Sequence, residues 1–323
     1  LYSKTKTFSQ LAAQPIVGMP FAAQHVSDFG IGVGITDADH PQNPFDTLVL
    51  VRNRFIDHPR VYQNLNDTLR VMGGLRGKIN ERFSWEGAVN FNDVDQAFTN
   101  TNVINRTALA NAIDAGTVNL FARTQDPAAL AQAGIFGTAF SLNQSTLNTA
   151  DIRLNGELPD LLPGGDLQFA VGLEARRETL SGQPDAGSYL ITDPTTPLYG
   201  FPTQWDGATT ADPFDAKRNV DAAFAQVRVP LVSPEQHLAG LYTLDLDMAL
   251  RYERYSDTDD PLVPKVLLRS LPFNDELAFR ASYSQSFSAP DLYTLFGPAG
   301  VGFTEQVVEF DRYDGGKILD ADQ

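Results

Sequence analysis

The chain has 323 residues, of which 42% are apolar and 20% charged, a balance that excludes an intrinsically disordered polypeptide. It contains no Cys, which excludes disulfide scaffolds, thiolate zinc sites, iron–sulfur clusters and thiol catalysis. The 40 acidic and 24 basic residues give a net charge of −16, which argues against nucleic acid or an anionic lipid surface as the main partner. No apolar run approaches the roughly 18 residues of a membrane-spanning helix, so a helical membrane protein is also excluded.

The N-terminal part of the chain has little regular patterning. We expect residues 1–45 to form an irregular segment that leads into one β domain over residues 46–323, with Thr47–Phe55 as its first strand. Leu1 opens the chain without Met, and Leu1–Gln10 has neither the basic start nor the apolar run of a secretory signal. A processed or truncated polypeptide is therefore expected.

The first clear hairpin lies between Leu69 and Asn92. Odd positions of Leu69–Ile79 are apolar or Gly and most even positions are polar, which is the period-two pattern of a strand. After a tight connection at Asn80–Glu81, Phe83–Asn92 repeats the pattern with one uncharged face. Three more hairpins follow: Ala150–Leu158 with Leu167–Ala175, Val220–Leu231 with Leu241–Tyr255, and Leu262–Leu271 with Leu277–Phe287.

The connections between these hairpins differ sharply in length. Asp93–Ser145 and Ser181–Lys217 are long and polar, with short helices predicted at Arg106–Asp114 and Pro127–Ala133, whereas the turns inside the hairpins are short. Short turns at one end and long loops at the other are typical of a bacterial outer-membrane barrel, with periplasmic turns and extracellular loops. The predicted fold class is therefore all-β, an antiparallel up-and-down transmembrane β-barrel that is partial, with about nine or ten strands of a larger barrel.

The two faces of each strand predict which side chains meet lipid. Tyr242 and Tyr252 lie ten residues apart on one uncharged face, or about 25 Å along the membrane normal, the height of a barrel's apolar band. The predicted lipid-facing girdle residues are Trp85, Phe91, Phe169, Tyr242, Tyr252 and Tyr283. The predicted lumen-facing residues are Arg70, Glu86, Glu174, Arg176, Asp245, Asp247, Arg251, Glu253 and Arg280. A soluble β-sandwich, whose core face also lacks charge, is the alternative.

The segment Phe279–Phe296, FRASYSQSFSAPDLYTLF, resembles the strand and loop by which TonB-dependent outer-membrane receptors are recognised. Five other stretches resemble the same barrel in chain order: Asn43–Phe45, Gly73–Trp85, Ala108–Phe121, Ala225–Leu231 and Ala249–Asp257. The chain departs from the family pattern at Ser288, where Arg is usual, and at Leu120, where Pro is common before Phe.

The resemblance implies the function and the partners. Such receptors have about 22 strands and a plug, so this chain would be a barrel fragment whose plug and closing strands lie elsewhere in the receptor. The implied role is active uptake of a scarce nutrient across the bacterial outer membrane, with energy supplied by TonB through the plug. The implied partners are outer-membrane lipid, the remainder of the same receptor, TonB, and a small-molecule ligand of unknown identity.

No motif predicts catalysis, a cofactor or a metal site, and we expect none of the three. His25, His40, His58 and His237 lack paired spacing, and Gly30–Gly34 is not followed by the helix of a phosphate loop. Asp37–Asp39 and Asp257–Asp260 are partial matches to a calcium loop and are more typical of solvated acidic turns.

The alternative function is a secreted or surface-attached β-rich binding module with no transport role. Such a module would be a monodisperse monomer without detergent. If lipid covers the uncharged faces, a charge placed there, as in Leu246→Arg, is expected to impair insertion.

Overall fold

The structure is a computed structural model that describes residues 1–17, 34–36, 41–45, 49–195 and 203–298. Its strands in chain order are β1 (Tyr2–Leu11), β2 (Pro15–Val17), β3 (Gly34–Thr36), β4 (Val49–Arg54), β5 (Arg60–Lys78), β6 (Phe83–Asn105), β7 (Phe136–Leu162), β8 (Gly165–Pro184), β9 (Trp205–Asp206), β10 (Phe214–Val232), β11 (Thr243–Tyr255), β12 (Leu262–Leu271) and β13 (Phe279–Ser284). Its helices are α1 (Arg106–Asp114), α2 (Pro127–Ala133) and α3 (Leu292–Phe296), and two short 3₁₀ turns accompany them at Ala186–Ser188 and Pro234–Gln236.

Ten strands form one antiparallel sheet. Its order is β1-β5-β6-β7-β8-β10-β11-β12-β13, and β9 pairs with the C-terminal end of β6. Neighbouring strands along this path are paired. Short turns at residues 79–82 and 163–164 close two hairpins, and long connections at residues 106–135 and 185–213 follow them. This confirms the predicted partial, up-and-down barrel wall. Within the described residues the sheet is open, with β1 and β13 at its two edges.

The first strand of the sheet differs from the expectation. Residues 1–45 were expected to be irregular, yet Tyr2–Leu11 pairs with β5 over its whole length, from Tyr2 opposite Leu69 to Leu11 opposite Arg60. The expectation that Thr47–Phe55 joins the barrel wall is wrong, because β4 lies between β2 and β3 in a separate three-stranded sheet. The division of the chain at residue 45 stays a prediction.

Several strands are longer than the alternation indicated. β6 has 23 residues and β7 has 27, whereas a tilted strand needs about 10 to cross a membrane. The strands therefore take up the ends of the predicted loop Asp93–Ser145 and leave residues 106–135 as the connection. Within that connection α1 and α2 have the predicted bounds. Asn105 and Asp126 cap their first turns by accepting hydrogen bonds from backbone amides.

A compact hydrophobic core lies in the long connections rather than in the sheet. Ile104 at the end of β6 packs with Leu109 and Ile113 of α1, Leu130 of α2, and Ile16 of the small sheet. These side chains are 0–5% exposed. The long connections therefore form a packed layer above one end of the sheet, which we call the loop layer.

The opposite end of the sheet has tight turns. The turn between β7 and β8 uses Gly164 and Gly165, and Gly165 has a φ of +129° that disfavours a side chain. A Cβ on Gly164 would collide with the backbone of Pro230, at the end of β10. Neighbouring hairpins therefore pack closely at this end.

Candidate functional site

The strand register divides the side chains of the sheet between two faces. Glu86 lies opposite Arg153, Arg153 lies opposite Gly172, and Phe224 lies opposite both Gly172 and Arg251. Directly opposed residues share a face, so these pairings fix one face across β6, β7, β8, β10 and β11. We call it the charged face, and its reverse the apolar face.

The charged face holds all nine residues predicted to face the lumen. Arg70 on β5, Glu86 on β6, Glu174 and Arg176 on β8, and Asp245, Asp247, Arg251, Glu253 on β11 and Arg280 on β13 share this face by register. The six aromatic residues predicted to face lipid, Trp85, Phe91, Phe169, Tyr242, Tyr252 and Tyr283, lie on the apolar face by the same register, with Tyr242 just before β11. Their assignment to lumen and lipid stays a prediction.

A network of charges crosses the middle of the charged face. Arg251 contacts Glu253 on its own strand at 2.6 Å and Glu174 on β8 at 3.0 Å. The hydroxyl of Tyr255 donates to Glu253 at 2.6 Å. Arg176 contacts Glu178 at 2.8 Å and Glu174 at 3.8 Å. The network joins β8 to β11 across β10, so one polar surface stretches over three strands.

A second cluster lies nearer the short turns. Asp245 is 11% exposed and lies between Arg228, at 3.4 Å, and Arg269, at 3.5 Å. Arg280 lies directly opposite Arg269 on β13. An ion pair between Arg153 and Glu86 adds a third contact on this face. The charged face can therefore bind polar protein groups, water or a hydrated solute, and it is unsuited to lipid.

A buried arginine fixes the segment after β13 against the charged face. The Arg218 guanidinium donates to Asp257 at 2.8 Å and to the backbone oxygen of Pro290 at 2.8 Å, and both charged side chains are under 10% exposed. The guanidinium also lies 5.6 Å from the ring centroid of Tyr255. Phe214, the first residue of β10, packs edge-to-face on Tyr293 of α3, with ring centroids 5.5 Å apart.

Sequence reasoning missed this cluster, because Arg218 lies between the predicted loop Ser181–Lys217 and the predicted strand Val220–Leu231. We call Arg218, Asp257 and the Pro290 carbonyl the latch.

The loop layer contains a buried ion pair of its own. Arg106 at the start of α1 donates to Asp206 at 3.1 Å, and Gln14 donates to the same carboxylate oxygen at 3.2 Å. Burial raises the pKa of Asp206, and the nearby charge of Arg106 only partly offsets it. Burial likewise lowers the pKa of Arg106. Three separate connections meet here, so the pair ties the loop layer together at an electrostatic cost.

The other sequence motifs have structural explanations where they are described. His58 stacks on Phe136 with ring centroids 4.1 Å apart, and His237 is the residue with a φ of 49° that ends a short turn. Asp257 belongs to the latch, and Asp260 accepts from the backbone of Tyr255 and the hydroxyl of Tyr252.

His25, His40, Gly30–Val33 and Asp37–Asp39 lie outside the described residues. Among the residues that are described, no group of three or more His, Asp or Glu could hold a metal ion.

No helix within the described part of the chain is long and apolar enough to cross a membrane. No curated protein and no solved structure matches the chain. A family model, described as the TonB dependent receptor-like β-barrel, matches residues 21–315, which is most of the sequence. The chain therefore belongs to the β-barrel family of TonB-dependent receptors, a family of outer-membrane transport receptors in Gram-negative bacteria.

Proposed function

We propose that this chain forms part of the wall of an outer-membrane receptor that admits a scarce nutrient. TonB supplies the energy, through a plug that the barrel encloses. The observation that carries the proposal is the apolar face, which continues over eight neighbouring strands from β5 to β13. We assign no catalytic role to this chain.

The apolar face exposes large hydrophobic side chains on nearly every strand. They include Leu69, Val71, Leu75, Val89, Phe91, Ile152, Val171, Leu173, Met248, Leu250, Tyr252, Leu262, Val266, Leu268, Phe279 and Tyr283, each at least 39% exposed apart from Met248 at 37%. Soluble monomers rarely expose an apolar patch above about 600 Å². A continuous face of this extent suits the hydrocarbon core of a bilayer.

The apolar face ends at an aligned polar boundary. Toward the long connections, the next residue on this face after Ala223 of β10 is Asp221. The next one after Tyr252 of β11 is Arg254. Asp221 and Arg254 lie directly opposite each other. A charged side chain on the lipid face is strongly destabilising at the bilayer midplane and only weakly so near the interface. This alignment therefore supports a membrane boundary at the long-loop end.

The charged face supplies the inner surface in this proposal. Its carboxylates and guanidinium groups would meet the plug, water and the passing solute. The loop layer and the described residues 185–195, 203–213 and 289–298 would present the ligand-recognition surface on the cell exterior. The nine lumen-facing and six lipid-facing assignments made from the sequence are part of the proposal.

Fractionation and uptake test the two halves of the proposal. The full-length receptor should sediment with outer membranes and stay monodisperse only in detergent. A deletion strain should lose uptake of at least one of three radiolabelled probes, ferrichrome, cyanocobalamin or maltodextrin, and a protonophore should abolish the same uptake in the parent. A detergent-free soluble monomer would support a secreted binding module instead. Unchanged uptake of every probe would contradict the transport role.

A further inference from the structure

Three cations cluster on the outside of the wall, just beyond the apolar face. Arg177 on β8, Lys217 on β10 and Arg254 on β11 all point to the same side as Tyr252 by register. They lie toward the long connections, at the boundary of the apolar face. The cluster is unexpected in a chain whose net charge is −16.

The register places the three cations around one residue, Asn219. Arg177 lies directly opposite Asn219, and Lys217 is two residues along the same strand. Arg254 lies opposite Asp221, two residues along in the other direction. Adjacent and diagonal positions on a sheet face are about 5 to 8 Å apart, so the three side chains can reach one common group.

Four cations of the charged face have carboxylate partners that these three lack among the described residues. On that face Arg153, Arg176, Arg251 and Arg269 each contact a carboxylate. Arg177, Lys217 and Arg254 are exposed and make no ion pair or side-chain hydrogen bond within the described part of the chain. Asp215 and Asp221 share their face, which leaves the cluster with a net positive charge and with unused donors.

An apolar groove begins directly below the cluster. Small residues form most of its floor, since Ala175 lies opposite Ala150, and Val89 lies between Ala150 and Gly73. Ile152 and Leu173 flank it, Asp221 lies opposite Ala175 at the edge nearest the cations, and its volume is about 750 Å³. Ala175 is two residues below Arg177, so groove and cations form one continuous surface.

We propose that this surface binds a phosphate-bearing lipid of the outer leaflet. The phosphate contacts Arg177, Lys217 and Arg254, and one acyl chain lies in the groove over Ala150 and Ala175. Guanidinium and ammonium groups form charge-assisted hydrogen bonds with phosphate, and aliphatic chains gain from burial against small apolar residues. The inference rests on the membrane orientation in the proposed function, with long loops outside.

Lipid binding to the full-length receptor tests the inference. The probe is lipid A, titrated into detergent-solubilised receptor and counted as adducts by native mass spectrometry. The variant Arg177→Gln/Lys217→Gln/Arg254→Gln should bind lipid A at least about tenfold more weakly, since it loses three charge-assisted contacts with the phosphate. The control Arg76→Gln/Lys78→Gln/Lys265→Gln, which removes the same charge from the other face, should bind like the parent.

Groove filling gives an independent measurement. Ala150→Phe should weaken lipid A binding, whereas Ala225→Phe, on the same face outside the groove, should not. Diacylglycerol with matched acyl chains, which has no phosphate, should bind the parent and the triple variant alike.

Equal lipid A binding by the triple variant and the parent would overturn the inference, and so would an equal loss in the control. Displacement of lipid A by millimolar inorganic phosphate would show a phosphate site without lipid selectivity and would overturn it too. If the receptor inserts and transports but the triple variant binds lipid A normally, only the lipid-binding inference is wrong. If the receptor is soluble without detergent, the proposed function itself is wrong.

Discussion

Arg251 on β11 and Glu174 on β8 meet at 3.0 Å although β10 lies between their strands. Ala222 is the β10 residue directly opposite Glu174 and also directly opposite Glu253. Its small side chain, 5% exposed, leaves room for the guanidinium to span the strand. The three-strand charge network therefore depends on a small residue between two carboxylates.

Substitutions in this charge network should show that Arg251 and Glu174 stabilise the folded receptor cooperatively. Arg251→Met leaves Glu174 and Glu253 without their shared cation, so the free energy of unfolding should fall. A double-mutant cycle with Glu174→Gln should give a coupling energy of about 1 kcal/mol, measured by guanidinium unfolding of receptor folded into vesicles. Lys265→Met, on the same face, serves as the control. Additive effects of the two network substitutions would show that the pair makes no net contribution.

Two glycines offer a matched test of packing on the sheet. A Cβ on Gly172 would lie 2.5 Å from the ring of Phe224, whereas a Cβ on Gly73 would meet nothing within 4 Å. Gly172→Ala should therefore destabilise the folded receptor by about 1–3 kcal/mol, and Gly73→Ala should be neutral or slightly stabilising. The measurement is the midpoint of the heat-induced mobility shift on gels. Equal midpoints for the two variants would contradict the Phe224 contact.

The latch should hold the segment after β13 in place. Arg218→Met leaves Asp257 buried without its cation, which should cost about 3 kcal/mol, and it frees the Pro290 carbonyl. Hydrogen exchange in residues 288–297 should accelerate. Lys217→Gln, one residue away on the other face, should leave that exchange unchanged. Slow exchange in both variants would mean that α3 is held by its packing on β10 alone.

The buried pair in the loop layer predicts a pH dependence. Because burial raises the pKa of Asp206 above its unfolded value, the native state binds the proton more tightly. Loop-layer stability should therefore decrease as pH rises from the unfolded pKa through the raised native pKa. Protection factors for residues 104–113 report this stability, corrected for intrinsic exchange. Asp206→Asn should flatten the profile in this window, and an unchanged profile would contradict the raised pKa.

The side-chain faces could be predicted from sequence because period two is a local property. Trp85 and Tyr252 keep their face whatever the partner strand, so no knowledge of register was needed. The ends of the strands could not be predicted, because beyond the apolar face both sides of β6 are polar, as at Thr99 and Asn100. Alternation disappears there while the backbone pairing continues.

The contacts between distant segments could not be predicted from the sequence. Tyr2–Leu11 pairs with β5 across 48 intervening residues in which another sheet forms. Lys4 and Lys6 lie between Tyr2 and Phe8, so this strand has no apolar face that would mark it in the sequence. Arg218 meets Asp257 39 residues later and Pro290 72 residues later. Nothing in the local pattern of a single Arg indicates which of many carboxylates it will contact.

The most direct test of the membrane-facing wall compares two neighbouring leucines on β12. Leu268 is 39% exposed on the apolar face opposite Leu246, and Leu267 lies on the charged face opposite Asp247. Outer-membrane assembly is measured for full-length Leu268→Arg and Leu267→Arg by the fraction of heat-modifiable receptor in purified membranes. We predict that Leu268→Arg loses assembly, since an arginine near the midplane costs about 2–4 kcal/mol, while Leu267→Arg assembles like the parent. Equal assembly of both variants would contradict the account.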